Sequence, residues 1–141
     1  EVDFCDIDPE TILLNIDEVR KKLKRSKPGD YAGIIPVDFA GNPIKMDDFR
    51  SLADEYGIWI LEDACHAPGG FYKDTNDKKQ NCGNGVYAHS AIFSFHPVKH
   101  IACGEGGMIT TNDQKIYQIE FSQDKLHIPS YCQSICVAGF D

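Results

Sequence analysis

Two apolar runs of strand length, Ala32-Gly33-Ile34-Ile35-Pro36-Val37 and Ile58-Trp59-Ile60-Leu61, flank a segment where Met46, Phe49, Leu52, Ala53 and Tyr56 recur at helical spacing. A strand, a helix and a second strand joined by short turns make a βαβ unit, and the handedness of such crossovers favours parallel strands. The chain is thereby restricted to an α/β fold with a mainly parallel sheet and flanking helices. Unbroken apolar runs, rather than alternating ones, suit strands covered on both faces. Pro36 cannot donate to a sheet ladder and argues against a central place for the first run. Gly57 stands where the helix should end.

The remaining elements follow from local signals. Residues 2–7 predict a short extended run, and Asn15 or Asp17 is placed to cap a helix reaching about Lys24, with Ile16, Val19 and Leu23 on one face. Lys27-Pro28-Gly29-Asp30 breaks it. Residues 38–43 read as a turn-rich loop, and residues 69–85 as an exposed hairpin or loop built around Asp74-Thr75-Asn76-Asp77-Lys78-Lys79. Residues 90–95 predict a strand at a sheet edge, residues 106–111 another, and Asn112 or Asp113 can cap the helix that follows. No internal repeat or low-complexity segment is present.

Composition excludes several function classes. The 141 residues fall in the single-domain range, and a formal net charge of -8 disfavours nonspecific binding to nucleic acid or to an anionic membrane surface. The basic run at residues 20–27 is interrupted by Leu23 and reads as the solvated face and C-terminal end of a helix. No apolar run approaches the roughly 20 residues of a membrane-spanning helix, and the acidic start lacks the order of a signal peptide. A cytoplasmic protein is expected. Cys5, Cys65, Cys82, Cys103, Cys132 and Cys136 are expected as free thiols, and no Cys-x-x-Cys pair occurs.

Candidate chemistry gathers at two places. Glu62 and Asp63 fall at the carboxyl end of the second strand, the edge where open α/β sheets bind ligands. Lys99 closes Phe93-Ser94-Phe95-His96-Pro97-Val98-Lys99, just before Gly104-Glu105-Gly106-Gly107. A lysine amine can form an imine with an aldehyde cofactor, and an aspartate can keep a pyridine nitrogen protonated, so Lys99 and Asp63 suit pyridoxal 5'-phosphate. Taken singly, Asp63 serves equally as a turn former, Ser94 as a phosphate contact or a small packed residue, and His66 as a ring neighbour or a satisfied loop residue. Gly104, Gly106 and Gly107 can admit a ligand or simply turn the chain. A competing constellation is Cys65, His66, Cys82, His89, His96, His100 and Cys103, whose thiolates and imidazoles are zinc ligands by type but match no closed-site spacing.

Taken together and in order, Ile35-Pro36-Val37-Asp38-Phe39-Ala40-Gly41, Trp59-Ile60-Leu61-Glu62-Asp63-Ala64-Cys65-His66-Ala67, residues 93–99 and residues 104–107 resemble the DegT/DnrJ/EryC1/StrS family of pyridoxal phosphate-dependent sugar aminotransferases. The resemblance is nearest to members that aminate 4-keto-6-deoxy sugars on a nucleoside diphosphate, whose lysine motif shares the Ser-Phe-His-Pro-Val-Lys form. It implies the large domain of a fold-type I transferase, with residues 1–117 as a central part of it and residues 118–141 as a divergent or truncated tail. Lys99 would then be the catalytic, cofactor-bearing lysine, Asp63 the partner of the pyridine nitrogen, His66 a neighbour of the ring and Ser94 a phosphate contact. The implied reaction is a ping-pong amino transfer from glutamate to a keto-sugar nucleotide, in amino-sugar and surface polysaccharide synthesis, by a homodimer. Lysine at position 99 favours transamination over the dehydration carried out by relatives with histidine there. The alternative is a domain that keeps the fold and its partner contacts without turnover.

Overall fold

The structure, a computed structural model, describes residues 1–121 and 135–139. Helix α1 (Ile16–Arg25) begins at Asn15, whose side-chain oxygen accepts the Asp17 and Glu18 amide N–H groups at 2.9 and 3.4 Å. Asp17 and Glu18 lie in its first turn and Lys22, Lys24 and Arg25 in its last, each sign matching the helix dipole. Val19 and Leu23 are its buried residues, so the basic run is the solvated side of an amphipathic helix. Residues 2–7 depart from the expected extended run: Ile7 makes one isolated antiparallel bridge with Leu14 and no strand forms.

The βαβ unit is present. Strand β1 (Gly33–Ile34) leads through a short 3-10 turn (Phe39–Gly41) to helix α2 (Met46–Tyr56), and then to β2 (Trp59–Asp63). Gly57 ends α2 with φ +66°, a left-handed conformation that a side chain would strain. β1 is shorter than the apolar run that encodes it, because Pro36 has no N–H to extend the ladder. Pairing resumes at Val37, which bridges Asp63 in parallel.

Beyond β2, a two-stranded antiparallel hairpin, β3 (Phe71–Lys73) and β4 (Lys79–Asn81), stands apart from the main sheet. The Asp47 carboxylate at the start of α2 accepts the Thr75 N–H at 2.8 Å and ties the hairpin tip to that helix. β5 (Ser90–Ser94), β6 (Gly107–Thr111) and β7 (Ile135–Gly139) complete a five-stranded sheet of order β1-β2-β5-β6-β7. Three of its pairings are parallel, and β5 with β6 is antiparallel. β5 was expected at an edge and instead lies inside the sheet between β2 and β6. Its alternation of small and aromatic residues reflects different neighbours on its two faces, not an open flank.

Asp113 caps α3 (Gln114–Phe121), accepting the Lys115 and Ile116 N–H groups. Of residues 118–141, residues 118–121 continue α3 and residues 135–139 form β7, while the rest lie outside the described residues. The principal core packs Val19 and Leu23 of α1 and Phe49, Leu52 and Ala53 of α2 against Ile58 and Ile60. A smaller cluster of Ala64, Ala67 and Cys82, with Phe93 against it, lies next to the carboxyl end of β2. Leu52 is 0% exposed at the centre of the helix layer. Leu52→Ala should lower unfolding free energy by ~2–5 kcal/mol in a denaturant titration, through lost transfer energy plus the cavity left behind.

Candidate active site

Asp63 is held at the last position of β2 by bonds to both neighbours. Its N–H donates to the Pro36 carbonyl at 2.9 Å, and its carbonyl accepts the Asp38 N–H at 3.0 Å. The next residue, Ala64, donates its N–H to the Ile92 carbonyl of β5 at 3.0 Å. The Asp63 side chain is half-buried, and its Oδ1 accepts the Cys65 N–H at 3.0 Å. That short loop bond fixes the carboxylate's direction.

His66 lies one turn further. Its Nδ1 accepts the Ala40 N–H at 3.4 Å, and its ring sits 5.8 Å from the Phe39 ring at an interplanar angle of 58°. The 3-10 turn after β1 therefore carries the imidazole. Ser94 ends β5 opposite Gly107 of β6, half-buried, with its Oγ accepting the His96 N–H at 3.4 Å. At Gly107 a Cβ would come within 2.7 Å of the Phe93 carbonyl oxygen, so the close approach of these two strands requires glycine.

Lys99 is in the loop between β5 and β6. Its N–H donates to the His96 carbonyl at 2.9 Å, and the loop is closed by Phe95 N–H to the Gly106 carbonyl and Cys103 N–H to the Phe95 carbonyl. Lys99 is half-buried while Val98 beside it is 80% exposed. Among the described residues the Lys99 ammonium makes no ion pair within 4.0 Å. Cys65 links the two halves of the site. Burial pushes its thiol up to about 12, the Asp63 carboxylate adds to the rise, and the Lys99 charge opposes it. Asp63 and Lys99 thus act on this thiol with opposite sign.

The donor set fits pyridoxal phosphate by type: a directed carboxylate for a ring nitrogen, a primary amine for an aldehyde, a hydroxyl for phosphate and an imidazole beside the carboxylate. The competing zinc constellation is not assembled. Among the described residues Cys65, His66, Cys82, His89, His96, His100 and Cys103 form no group of three ligands by themselves, because strands and loops send them to separate places. The grouping that does form is Asp38, Glu62 and Cys82, with ligand atoms within 4.8 Å of one another. Sequence reasoning missed it as a unit. Glu62 was visible beside Asp63, but strand alternation puts the two on opposite faces. Glu62 shares its buried side with Ile60 and meets Asp38 from the turn after β1 and Cys82 from the loop after β4.

Within that group the Asp38 Oδ1 accepts the Ile44 N–H at 2.9 Å and the Glu62 Oε1 accepts the Gly83 N–H at 2.7 Å. Burial first, then the adjacent Asp38 charge, raises Glu62 to about 8. Asp38 is raised as well, chiefly by burial. The Cys82 thiol is driven upward by burial and by both carboxylates.

The model of the DegT/DnrJ/EryC1/StrS aminotransferase family matches residues 1–127, and the chain belongs to that family. The aminotransferases of this family are pyridoxal phosphate-dependent. An uncharacterized protein of Methanocaldococcus jannaschii is 40% identical over 114 residues, which is 80% of this chain and 26% of the relative. A DegT/DnrJ/EryC1/StrS aminotransferase from Brucella abortus superposes with a TM-score of 0.71 at 27% identity, over 95% of this chain and 36% of that one. DesI, solved in the presence of its TDP-sugar product, gives a TM-score of 0.63 at 28% identity, over 86% of this chain and 30% of that one. The chain thus spans about a quarter to a third of the length of the proteins it matches.

The opposed influences of Asp63 and Lys99 on the Cys65 thiol have a chemical readout. Cys65 should alkylate slowly with iodoacetamide near neutral pH, since little of its thiol is ionised. Removing the positive charge in Lys99→Ala should slow it further, and Asp63→Asn should speed it. Peptide mass mapping of the labelled cysteine checks both directions; unchanged rates in both variants would separate these residues.

Proposed function

We propose that this chain contributes the cofactor-binding core of a pyridoxal phosphate-dependent aminotransferase that acts on a keto-sugar nucleotide, with glutamate as amino donor and within a homodimer. The observation that carries the proposal is the topology: Asp63 ends β2 and the half-buried Lys99 follows β5, and these two strands are parallel neighbours that leave the sheet at the same edge. Family membership supports the reaction class, and the TDP-sugar product of DesI supports a nucleotide-linked sugar as substrate. A homodimer is supported by the exposed apolar Val98 and Ile101 on either side of Lys99, which a second copy would cover.

Bound pyridoxal phosphate supplies an electrophilic aldehyde and a ring that disperses carbanion charge. The Asp63 carboxylate, aimed by its bond from the Cys65 N–H, keeps a proton on the ring nitrogen through charge attraction. The Lys99 amine would hold the cofactor, and its Nζ would be the group that moves a proton during amino transfer. The Ser94 hydroxyl would donate to a phosphate oxygen, and His66, anchored by the Ala40 N–H, would hold its imidazole beside the ring. Amino-sugar synthesis for surface polysaccharide is the process this chemistry serves. Among the described residues no helix is long and apolar enough to cross a membrane.

Incubating the chain with pyridoxal phosphate and reducing it with borohydride should fix one cofactor on the peptide that carries Lys99. Lys99→Ala should abolish that adduct. Asp63→Asn should leave the lysine able to react while lowering cofactor affinity by about 10-fold or more, the effect of losing a charge-assisted contact. Modification spread over surface lysines, and unaffected by Lys99→Ala, would contradict the proposal.

A further inference from the structure

The carboxyl groups of Asp38 and Glu62 are unusual neighbours. Asp38 is 1% exposed and Glu62 4%, they meet within 4.8 Å, and among the described residues no lysine, arginine or histidine is ion-paired with either. Two carboxylates so close and so dry cannot both ionise without a large electrostatic cost. The hydrogen-bond inventory points the same way. Backbone N–H groups satisfy Asp38 Oδ1 and Glu62 Oε1, while the buried Asp38 Oδ2 has no donor. A protonated Glu62 carboxyl is placed to supply one, as a stronger donor than the Cys82 thiol that shares the cluster.

We propose that Asp38 and Glu62 share a single proton in the folded chain, and that this acid pair is a positioning device for the strand end that carries Asp63. The mechanical link is short. Asp38 donates its N–H to the Asp63 carbonyl at 3.0 Å, and Glu62 is the residue before Asp63 on β2. With the proton present, Asp38 and Glu62 are cross-linked beneath the strand, and Gly83 is drawn to Glu62 by its N–H. Loss of the proton replaces that cross-link with repulsion directly under Asp63. The other titratable groups acting on the pair are Cys82 from the loop after β4, Asp63 itself, and Tyr72 on β3, which also feels Asp47 of α2. All are acids, so none offsets a second negative charge.

A divalent cation held by Asp38, Glu62 and Cys82 is the rival occupant. The shared proton satisfies Asp38 Oδ2 with atoms already in place, whereas a cation on these three groups would have to complete its shell with water beside the buried apolar cluster of Ala64 and Ala67. The consequence for the cofactor rests on the proposed role of Asp63; the proton itself does not.

The upward shift of Glu62 sets the sign of the pH dependence. The folded chain binds this proton more tightly than the unfolded chain, so its stabilisation is complete below an unfolded pKa near 4.5 and is lost as pH rises towards about 8. Glu62→Gln keeps an N–H donor for Asp38 and an oxygen for Gly83, and imitates the protonated acid permanently.

The test uses the 141-residue chain without cofactor. Infrared spectra at neutral pH should show one protonated carboxylic acid that disappears as pH passes about 8 and is missing in Glu62→Gln. Amide hydrogen-exchange protection at Asp38 and Asp63 should fall over the same pH range in the parent chain and stay level in Glu62→Gln. The midpoint of thermal unfolding should decline between about pH 5 and about pH 8 in the parent and be flatter in the variant. No acid band at neutral pH, or stoichiometric zinc that Cys82→Ser releases, would overturn the proposal. If band and protection behave as stated while pyridoxal phosphate fails to bind at any pH, the acid pair stands and the cofactor role of Asp63 falls.

Discussion

The site depends on the backbone ladder at the carboxyl end of β2. Asp63 is clasped on one side by Pro36 and Asp38 and followed on the other by the bond from Ala64 to Ile92, so the strand cannot slide or fray where its acid emerges. Because β2 is parallel to both β1 and β5, all three chains leave the sheet at the same edge. The loops that carry Phe39, His66 and Lys99 are thereby gathered without any contact among those side chains being needed to gather them. Parallel topology is the cause, and the collection of chemistry is its consequence.

One strand end serves two environments. Side chains alternate across a sheet, so Asp63 faces the half-open edge while Glu62 enters the dry interior with Ile60. Burying two carboxyl groups there is costly, and the core of α1, α2 and β2 must offset it. The cost has a structural return, since hydrogen bonds from Ile44 and Gly83 to these acids join the start of α2 and the loop after β4 to the strand. The acids bind three separate segments at a point directly beneath the proposed cofactor partner.

Much of this was legible in the sequence. Helix α2 was readable because Met46, Phe49, Leu52, Ala53 and Tyr56 keep a helical period and Gly57 supplies the stop. Asp63 was readable because a strand-end acid after an apolar run has few positions to occupy. The shortening of β1 was half readable from Pro36, but the resumed pairing at Val37 was not, since it depends on β2 as a partner. β5 was misplaced at an edge because its neighbour β6 returns antiparallel, a pairing that strand composition does not report. The acid pair was hidden for a similar reason: Asp38, Glu62 and Cys82 come from three segments that meet only after the sheet forms. The proposed pairing of Lys99 with Asp63 rests on residue chemistry and family resemblance, because local periodicity cannot bridge the sequence gap between them.

The central claim is that the edge of this sheet places Lys99 and Asp63 at opposite ends of one pyridoxal ring. A crystal structure of the chain loaded with pyridoxal phosphate tests it most directly. The account predicts continuous density from Lys99 Nζ to the cofactor and the ring nitrogen within hydrogen-bond distance of the Asp63 carboxylate. A cofactor joined to another lysine, or bound with its ring nitrogen turned away from Asp63, would contradict it.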